Sequence, residues 1–401
     1  MKPQNPFVVS GYVSPEFFCN RQKETKKIIS AITSHRNITL FSIRRIGKTG
    51  LIDHTFYHLS RQKNIVHIYL DILSTQNIQE FINIFANAVL NKLELKPEKL
   101  IKKISELFSS LRPTITFDPT TNLPNISFDV KSEKESAKTI EQIFAFLGRQ
   151  KKKIIIAIDE FQQIVNYHEK NVEAIMRTNI QRLRNTNFIF SGSQKHLLIS
   201  MFSQYGKPFY QSAEMMSLDK LAFDDYFNFI KDNFNKGNVE IDNEQVSRIL
   251  EWTRSHTYYT QFLCNRLWGT GAKKITREIV TSTMHEILNE NEAVYVNYRN
   301  LLTDYQWKIL KAIAKEGSMK LILSKDFIMK HKLHTPSSVQ TAFKALLGKE
   351  MIYKENEFYF VYDVFLERWL ELHRWTCADL CLIKNLLLAF VNGYSIHPSK
   401  H

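Results

Sequence analysis

The sequence predicts an α/β protein in which helices cover both faces of a parallel sheet. The chain has 401 residues and 44% hydrophobic residues, which is enough to bury cores in two or three domains. Up to about residue 205, the apolar runs "NITLFSI", "NIVHIYLDI", "KIIIAIDE" and "NFIFSGS" alternate with helix-like segments. Apolar strands that alternate with helices are typical of parallel sheets. After about residue 205 the alternation stops and helical patterns dominate.

The N-terminal elements follow in order. After the irregular lead "NPFVVSGYVSPEFF" we predict a helix with Asn20 as its N-cap, then a strand, a helix and a second strand. Helical spacing returns from Ile78 to Leu95, and "TITFDPTTNLPNISFDV" predicts a hairpin. A helix near 136–147, a strand, a helix through Arg184 and a last strand complete this part.

Composition limits the classes of function. The formal charge of +14 permits contact with polyphosphates, nucleic acid or acidic lipid, and it also fits an ordinary basic soluble protein. "LCLIKNLLLAFV" is interrupted by Lys384 and Asn385, so we expect no membrane span and no membrane partner. "MKPQNPFVV" does not resemble a secretory signal, which favours the cytoplasm.

The four cysteines do not predict a metal site. Cys19, Cys264, Cys377 and Cys381 are scattered, and no paired C-x-x-C set occurs among them. A zinc ribbon needs such pairs, so buried core cysteines are the better interpretation.

The stretch "LFSIRRIGKTGLI" has the context of a phosphate-binding loop. Gly47, Lys48 and Thr49 open a helix directly after a strand. In such a loop, backbone N–H groups and the helix N-terminus bind phosphate, the lysine reaches the β- and γ-phosphates, and the threonine hydroxyl binds Mg²⁺. The signature has glycine five residues before Gly47, where this chain has Ser42. Serine is tolerated there if its φ is negative. The alternative is a capped helix start without a ligand.

Two carboxylates strengthen the nucleotide interpretation. Asp159 and Glu160 follow an apolar strand about 110 residues after the loop. Ligands of parallel sheets bind at the carboxyl ends of the strands. There Asp159 would hold Mg²⁺ through water and Glu160 would polarise the attacking water. A solvated acidic strand end is the alternative.

A third polar position ends the strand "NFIFSGS". Ser193 lies where a side chain could hydrogen-bond the γ-phosphate or the water. A simple turn around Gly192 is the alternative.

With these motifs the chain resembles the archaeal-type ATPase family, which is related to the STAND and AAA+ P-loop ATPases. The markers include "NPFVV", "FFCNRQKE", "SIRRIGKTGLI", "IIIAIDEFQQI", "FIFSGSQKHLL" and "TRSHTYYTQFLCNRLW". The resemblance implies an ATPase core, a helical lid and a C-terminal winged helix, with ATP and Mg²⁺ as cofactors. It assigns Mg²⁺ and the water to Asp159 and Glu160 and a sensor to Ser193. It assigns nucleotide binding to the loop residues Ser42, Ile43, Arg44, Arg45, Ile46, Gly47, Lys48 and Thr49, with Gly50 next to them.

Two further contacts are implied by the same resemblance. Arg21 lies in a segment that packs near the adenine, and a salt bridge to Glu24 on one helix face is its alternative role. The family has a Gly-x-Pro-Tyr-type element in its lid near the nucleotide, and Tyr258 in "SHTYY" matches the tyrosine, which makes it a candidate for an adenine contact. The chain departs from that element at Thr257, where the family has proline.

An arginine finger would come from a neighbouring subunit, so a homo-oligomer is one expectation. Arg177, Arg182 and Arg184 precede the sensor strand and are the candidates. The alternative is that these arginines form a solvated helix face.

Residues 301–372 predict a winged helix-turn-helix. Thr303 is the expected N-cap of the first helix, the third is capped near Ser337, and "YKENEFYFVYD" supplies the wing. If this region binds duplex DNA, the residues facing the groove would be Ser338, Gln340, Thr341 and Lys344. Residues 301–371 hold eleven Lys or Arg and nine Asp or Glu, and this net charge of +2 leaves a protein partner equally open.

These observations divide the chain into four regions. We predict a core with an N-terminal strap at 1–205, a lid at 206–300, the winged helix at 301–372 and an amphipathic tail at 373–401. The predicted function is Mg²⁺-dependent ATP binding with slow hydrolysis to ADP and phosphate, acting as a switch. The alternative is a DNA-binding regulator whose nucleotide site is structural or barely hydrolytic.

Overall fold

The computed structural model describes residues 5–93, 113–117, 119–120, 124–130 and 132–372. The described chain forms two compact units. The first contains the described residues up to Asn238 together with Ser255–Gly269, and the second contains Val239–Arg254 and the described residues from Thr270 onward. The predicted tail, with Cys377 and Cys381, lies outside the described residues. The predicted region boundaries stay predictions.

The first unit is built on a parallel sheet. Its described strands are β1 Ile38–Phe41, β2 Ile65–Asp71, β3 Thr114–Phe117, β4 Pro124–Ser127, β5 Lys153–Asp159, β6 Thr186–Gly192 and β7 Glu214–Ser217. Strands β3 and β4 form a separate two-stranded hairpin. Within the described residues, five of these strands form one sheet in the order β2-β5-β6-β1-β7, and every neighbouring pair is parallel. The α/β class predicted from the alternating runs is therefore confirmed. Because β1, β5 and β6 are neighbours, the segments that follow them lie at one edge of the sheet.

Strand β5 shows why both faces of the sheet are covered. Successive strand side chains point to opposite faces. Ile154, Ile156 and Ile158 belong to one buried cluster, whereas Ile155 and Ala157 belong to another. Helices and neighbouring strands supply the other members of both clusters, so a continuous apolar run is what a strand buried on two faces needs.

The helices of the first unit follow the predicted order, except that Lys195–Ser203 was not predicted. Those that the structure describes are Gln22–Thr33, Lys48–Leu59, Ile78–Leu93, Glu133–Gly148, Val172–Arg182, Lys195–Ser203, Phe223–Lys236 and Thr257–Gly269. The predicted N-cap Asn20 is wrong, because the helix begins after Arg21, whose φ is +65°. Asn20 also has a positive φ of 50°, so two left-handed residues turn the chain into the helix. The helix that was predicted through Arg184 ends at Arg182.

Strand β7 was not predicted. Glu214–Ser217 is a four-residue edge strand in which Met216 alone is buried. It carries no apolar run because one side of it has no neighbouring strand and little of it enters the core.

The second unit contains the predicted winged-helix pattern. Its described helices are Asn243–Trp252, Arg277–Glu290, Glu292–Asn300, Asp304–Glu316, Lys325–Lys330, Pro336–Gly348 and Val364–Leu372, and its strands are β8 Glu240–Ile241, β9 Lys274–Ile275, β10 Ile352–Glu355 and β11 Phe358–Val361. Thr303 caps the helix Asp304–Glu316 in a capping box with Gln306, as expected. The third helix is capped by Thr335 rather than at Ser337, because Pro336 occupies its first turn. Strands β10 and β11 pair antiparallel and form the wing.

No helix in the described part of the chain is long and apolar enough to cross a membrane.

Candidate active site

The predicted phosphate loop connects β1 to the helix Lys48–Leu59. Gly47 has a φ of +102° and Arg45 a φ of +62°, so the loop turns through two left-handed residues before the helix begins. Glycine adopts this conformation without a steric penalty. Ser42 has a negative φ, which is the conformation in which a side chain is tolerated at this position. The backbone can therefore curl in front of the helix N-terminus with serine in place of glycine.

Lys48 is a buried cation at the start of this helix. Only 7% of the residue is exposed, and its Nζ donates a hydrogen bond of 3.4 Å to the Ser42 hydroxyl. Burial lowers the pKa of Lys48, and the charges of Asp159 and Glu160 oppose that shift. Lys48 makes no ion pair with any residue that the structure describes. A buried ammonium group is stabilised by an anion. The position therefore favours a negatively charged ligand.

Asp159 is the most heavily hydrogen-bonded carboxylate at this edge. Its Oδ2 accepts from the Thr49 hydroxyl at 3.0 Å and from the Tyr69 hydroxyl at 2.8 Å. Its Oδ1 accepts from the Ser191 hydroxyl and from the Glu160 amide. Burial, followed by the charge of Asp159, raises the pKa of Tyr69, so the phenol stays a donor. These bonds fix the carboxylate beside the threonine of the loop.

Glu160 is held on one oxygen. Its backbone is left-handed, with a φ of +53°, where the chain turns out of β5. Oε2 accepts from the Ser193 amide at 3.2 Å, from the Ser193 hydroxyl at 2.9 Å and from Nε2 of Gln162. The hydroxyl that sequence reasoning assigned to the phosphate or the water thus contacts the second carboxylate.

A cavity of about 600 Å³ unites most of the predicted residues. Its wall includes Arg21, Arg44, Arg45, Ile46, Gly47, Lys48, Thr49, Gly50, Asp159, Glu160 and Tyr258. Ser42, Ile43 and Ser193 are not on this wall. Ser42 reaches it through Lys48, Ser193 reaches it through Glu160, and Ile43 packs against the buried cluster behind the loop.

Arg21 and Tyr258 both line this cavity. Arg21 donates to Glu24 at 2.9 Å and to the Asp219 carbonyl at 2.7 Å, so the predicted salt bridge is present while the residue also lines the cavity. The Tyr258 amide donates to the Arg45 carbonyl at 3.2 Å, and the Arg45 guanidinium lies 4.6 Å from the centre of the Tyr258 ring. Tyr258 therefore contacts the loop directly, through its backbone and through a cation–π interaction.

Sequence reasoning missed the wall formed by residues 8–14, 17 and 18. Phe18 stacks on His54 at 4.4 Å, and the Tyr12 hydroxyl lies 3.0 Å from His54 Nδ1. Burial and the neighbouring His58 lower the pKa of His54 to about 4, so its imidazole is neutral at pH 7. The aromatic residues of the lead "FVVSGYVSPEFF" were the available signal, but nothing local in them shows what they pack against.

Sequence reasoning also missed Tyr69, Ser191 and Gln162. The first two are polar residues near the ends of β2 and β6, and each contacts Asp159. Polar side chains near the ends of otherwise apolar strands were a usable signal.

The candidate arginine fingers are not on the cavity wall of their own chain. Arg177 is half-buried on the helix Val172–Arg182, and Arg182 pairs with Glu141 at 3.3 Å on the surface. Arg184 follows the end of that helix and is exposed.

The donor set of the site suits a small hard cation. Mg²⁺ prefers oxygen ligands and keeps several waters or phosphate oxygens. The Thr49 hydroxyl and the Asp159 carboxylate offer protein oxygens 3.0 Å apart at the loop. The described residues contain no group of three or more His, Cys, Asp or Glu placed to hold a metal, so a cation here would need ligands from the nucleotide and from water.

Comparisons with known proteins identify the family and the fold. The family model described as an ATPase domain predominantly from Archaea matches residues 18–261, and a model described as a probable winged helix domain matches residues 293–372. No curated protein matches the sequence.

Solved structures share the fold. The Walker-type ATPase PABY2304 of Pyrococcus abyssi is 17% identical with a TM-score of 0.62, and the match covers 92% of this chain and 100% of that one. The ORC2 protein of Aeropyrum pernix, solved as ADPNP–ADP complexes, is 12% identical with a TM-score of 0.58 over 98% of this chain and 99% of that one. The Aeropyrum pernix ORC1 protein in complex with DNA is 12% identical with a TM-score of 0.51 over 96% of this chain and 98% of that one.

Proposed function

This chain belongs to the family of ATPase domains that occur predominantly in Archaea, and from that premise we propose that it is a Mg²⁺-dependent ATPase that works as a nucleotide-controlled switch. One observation carries the proposal. Lys48 and Thr49 lie on the wall of one cavity of about 600 Å³ together with Asp159 and Glu160, although Thr49 and Asp159 are 110 positions apart in the sequence. Phosphoryl transfer depends on positioning and on neutralising charge, and these four side chains supply both.

The loop would hold the triphosphate. Gly47 and Arg45 turn the backbone so that its N–H groups can face the β-phosphate at the helix N-terminus. Lys48 would bind the β- and γ-phosphates, and this contact would compensate for the burial of its charge. Arg21 and Tyr258 would lie beside the nucleotide base.

Thr49 and Asp159 would hold the magnesium ion. Four hydrogen bonds fix the orientation of the Asp159 carboxylate. One of them comes from the hydroxyl of Thr49, which would bind the same ion. When bound, the ion neutralises charge that develops on the β- and γ-phosphates.

Glu160 would activate water for hydrolysis. The water oxygen forms a bond to the γ-phosphorus, and the bond from that phosphorus to the β–γ bridging oxygen breaks with its electron pair leaving on ADP. Glu160 accepts the proton that the water loses. Turnover would be slow in a single chain if the finger is Arg177, Arg182 or Arg184, because none of these three is on the cavity wall of its own chain.

The switch would begin at the loop. The Tyr258 amide bonds to the Arg45 carbonyl, so a loop that rearranges around phosphate would move the start of the helix Thr257–Gly269. The output would be the winged helix, and a nucleotide-controlled output is what the resemblance to STAND ATPases implies.

A DNA-binding regulator is the second candidate. The winged helix exposes Gln340, Thr341 and Lys344 on its third helix, with Ser338 partly exposed beside them. The similar ORC1 protein was solved in complex with DNA. In this candidate function the nucleotide site is structural or barely hydrolytic.

Glu160→Gln tests the proposal because it keeps the shape of the side chain and removes the base. We expect turnover to fall by about 10²–10⁴ while ATP still binds. Asp159→Asn should weaken the dependence of ATP affinity on Mg²⁺. Glu141→Gln, at an exposed carboxylate, is the matched control.

Steady-state turnover and calorimetric affinity for Mg²⁺-ATP separate the outcomes. Equal turnover in Glu160→Gln and wild type would show that another group activates the water. Tight ATP binding without wild-type turnover would favour the regulator.

A further inference from the structure

The second carboxylate of the site is anchored asymmetrically. All three hydrogen bonds to the Glu160 carboxylate end on Oε2, and they come from the Ser193 amide, the Ser193 hydroxyl and the Gln162 amide group. In the part of the chain that the structure describes, no side chain donates a hydrogen bond to Oε1. Glu160 lies on the cavity wall, whereas Gln162 and Ser193 do not. One oxygen is thus held from behind the wall.

The buried position of Gln162 leaves its side-chain oxygen without a hydrogen bond. Only 3% of the residue is exposed, and its Oε1 is a buried acceptor without a hydrogen-bond partner. Such an atom is unfavourable by itself. The compensating interaction is the charge-assisted bond from Nε2 to the Glu160 carboxylate. A buried amide retained for one contact to a carboxylate indicates a role in positioning that carboxylate.

Gly192 makes the room for this amide. A Cβ added at Gly192 would lie 1.8 Å from Gln162 Oε1 and 2.9 Å from its Cδ. Gly192 does not have a positive φ, so its backbone conformation does not require glycine. Glycine is required at position 192 because a side chain there would overlap with the side chain of Gln162.

We propose that Gln162 and Ser193 are positioning residues that clamp Oε2 of Glu160, so that Oε1 is presented to the cavity and to the attacking water. This inference rests on the proposed function, in which Glu160 is the base. Three donors on one oxygen remove the rotational freedom of the carboxylate before the substrate arrives, and such preorganisation contributes to the rate rather than to binding.

The proposal predicts the direction in which turnover changes when the donors are removed. If Oε2 were instead the oxygen that takes the proton, its three bonds would have to break first, and removing donors would speed turnover. With Oε1 as the acting oxygen, removing donors makes the carboxylate more basic but leaves it unoriented, and the proposal is that the lost orientation outweighs the added basicity and slows turnover.

The first test removes donors one at a time. Gln162→Met keeps the length of the side chain and deletes the buried amide, and Ser193→Ala deletes the hydroxyl. Each should lower kcat roughly tenfold, as expected for one charge-assisted hydrogen bond, while KM and ATP affinity stay within about twofold. Ser193→Thr restores a hydroxyl and should recover most of what Ser193→Ala loses. The matched control is Gln163→Met, because the Gln163 amide contacts the Thr75 carbonyl instead.

The second test moves the clamp without deleting any of its groups. Gly192→Ala places a methyl group where Gln162 Oε1 lies, so it should reproduce the kcat loss of Gln162→Met. The double variant Gly192→Ala/Gln162→Met should lose no more than either single one. Additive losses would show that Gly192 acts independently, and would overturn its assignment. Circular dichroism at the assay temperature identifies any variant that does not fold, and Ser193→Ala, at a partly exposed position directly after β6, keeps the clamp testable in that case.

The last test separates this inference from the proposed function. In a Glu160→Gln background, Gln162→Met and Ser193→Ala should have no further effect on kcat. If Glu160→Gln abolishes turnover but neither clamp variant lowers kcat, or if either raises it, the clamp is overturned and the base stands. If Glu160→Gln leaves turnover intact, the proposed function fails and the clamp fails with it.

Discussion

Lys48 shows how one residue reports on the whole site. Its ammonium is buried at a helix N-terminus, where the helix dipole already disfavours a positive charge. Burial disfavours the charged form of Lys48 and so lowers its pKa. An anionic ligand would stabilise that charged form. A lysine at this position is better explained by the binding of an anionic ligand than by a contribution to the stability of the fold.

Lys48→Ala should therefore weaken ATP binding. The lost charge-assisted contact to the phosphates contributes about 1.5–3 kcal/mol in total, so affinity should fall roughly tenfold to a hundredfold. Isothermal calorimetry with Mg²⁺-ATP measures it, and the exposed Lys63→Ala is the matched control. Unchanged affinity in Lys48→Ala would reject the loop assignment.

At the scale of elements, the N-terminal segment and the loop helix are joined by buried imidazole contacts. Tyr12 and Phe18 come from the segment, and His54 and His58 come from successive turns of the helix Lys48–Leu59. His54 lies between an aromatic ring and two hydrogen-bond partners, and only 7% of it is exposed. Charging it would place a cation in that setting, beside a second imidazole.

This arrangement predicts an acid-sensitive stability. The folded pKa of His54 is about 4, below its ordinary value of 6.5, so the unfolded chain binds the proton first as the pH falls. The stabilisation is complete above pH 6.5 and is lost as the pH falls from about 6.5 towards 4. Between pH 7 and pH 5, His54 should account for on the order of 1–2 kcal/mol of the fall in the free energy of unfolding.

Denaturant unfolding at both pH values measures this contribution. His54→Gln removes the titrating group, so its free energy of unfolding should depend less on pH than that of the wild type. Asp53, His58 and Tyr57, which face the same cluster, are unchanged in that variant. An identical pH dependence in the two proteins would show that His54 does not titrate in this range.

At the scale of the whole molecule, the basic charge is unevenly distributed. The chain carries +14, and residues 301–371 contribute only +2 of it. Electrostatic contact with duplex DNA would therefore depend on a few side chains of the winged helix and on basic residues elsewhere in the chain. Gln340 and Lys344 lie exposed one turn apart on the helix Pro336–Gly348, as a groove-facing pair would.

Gln340→Ala with Lys344→Ala should weaken duplex binding by the full-length protein. Losing one phosphate or base contact costs about 1–3 kcal/mol, and wild-type affinity should fall steeply with salt. Fluorescence anisotropy with labelled duplex at several salt concentrations measures both effects. Lys315→Ala, on another helix of the same region, controls for the loss of charge. A wild-type protein that does not bind duplex at low salt would point to a protein partner for the winged helix.

The sequence by itself determined the features that local patterns encode. The isoleucine run of β5, the helix start at Lys48 and the capping box at Thr303 each depend on residues within a few positions of one another. Hydrophobic period and cap chemistry are local, so the sheet class and the predicted loop and carboxylate positions could be predicted without coordinates. The exact starts of helices were less secure, since Arg21 rather than Asn20 precedes the first one.

The tertiary structure alone decided which side chains meet. Tyr69 and Ser191 reach Asp159 from neighbouring strands, and Ser193 reaches Glu160 from the segment after β6. These contacts depend on strand order and on parallel register, which bring residues that are 32 to 90 positions apart to one edge of the sheet. A hydrogen bond between distant residues leaves no periodic trace in the chain, because its partner is chosen by the fold and not by the neighbouring sequence.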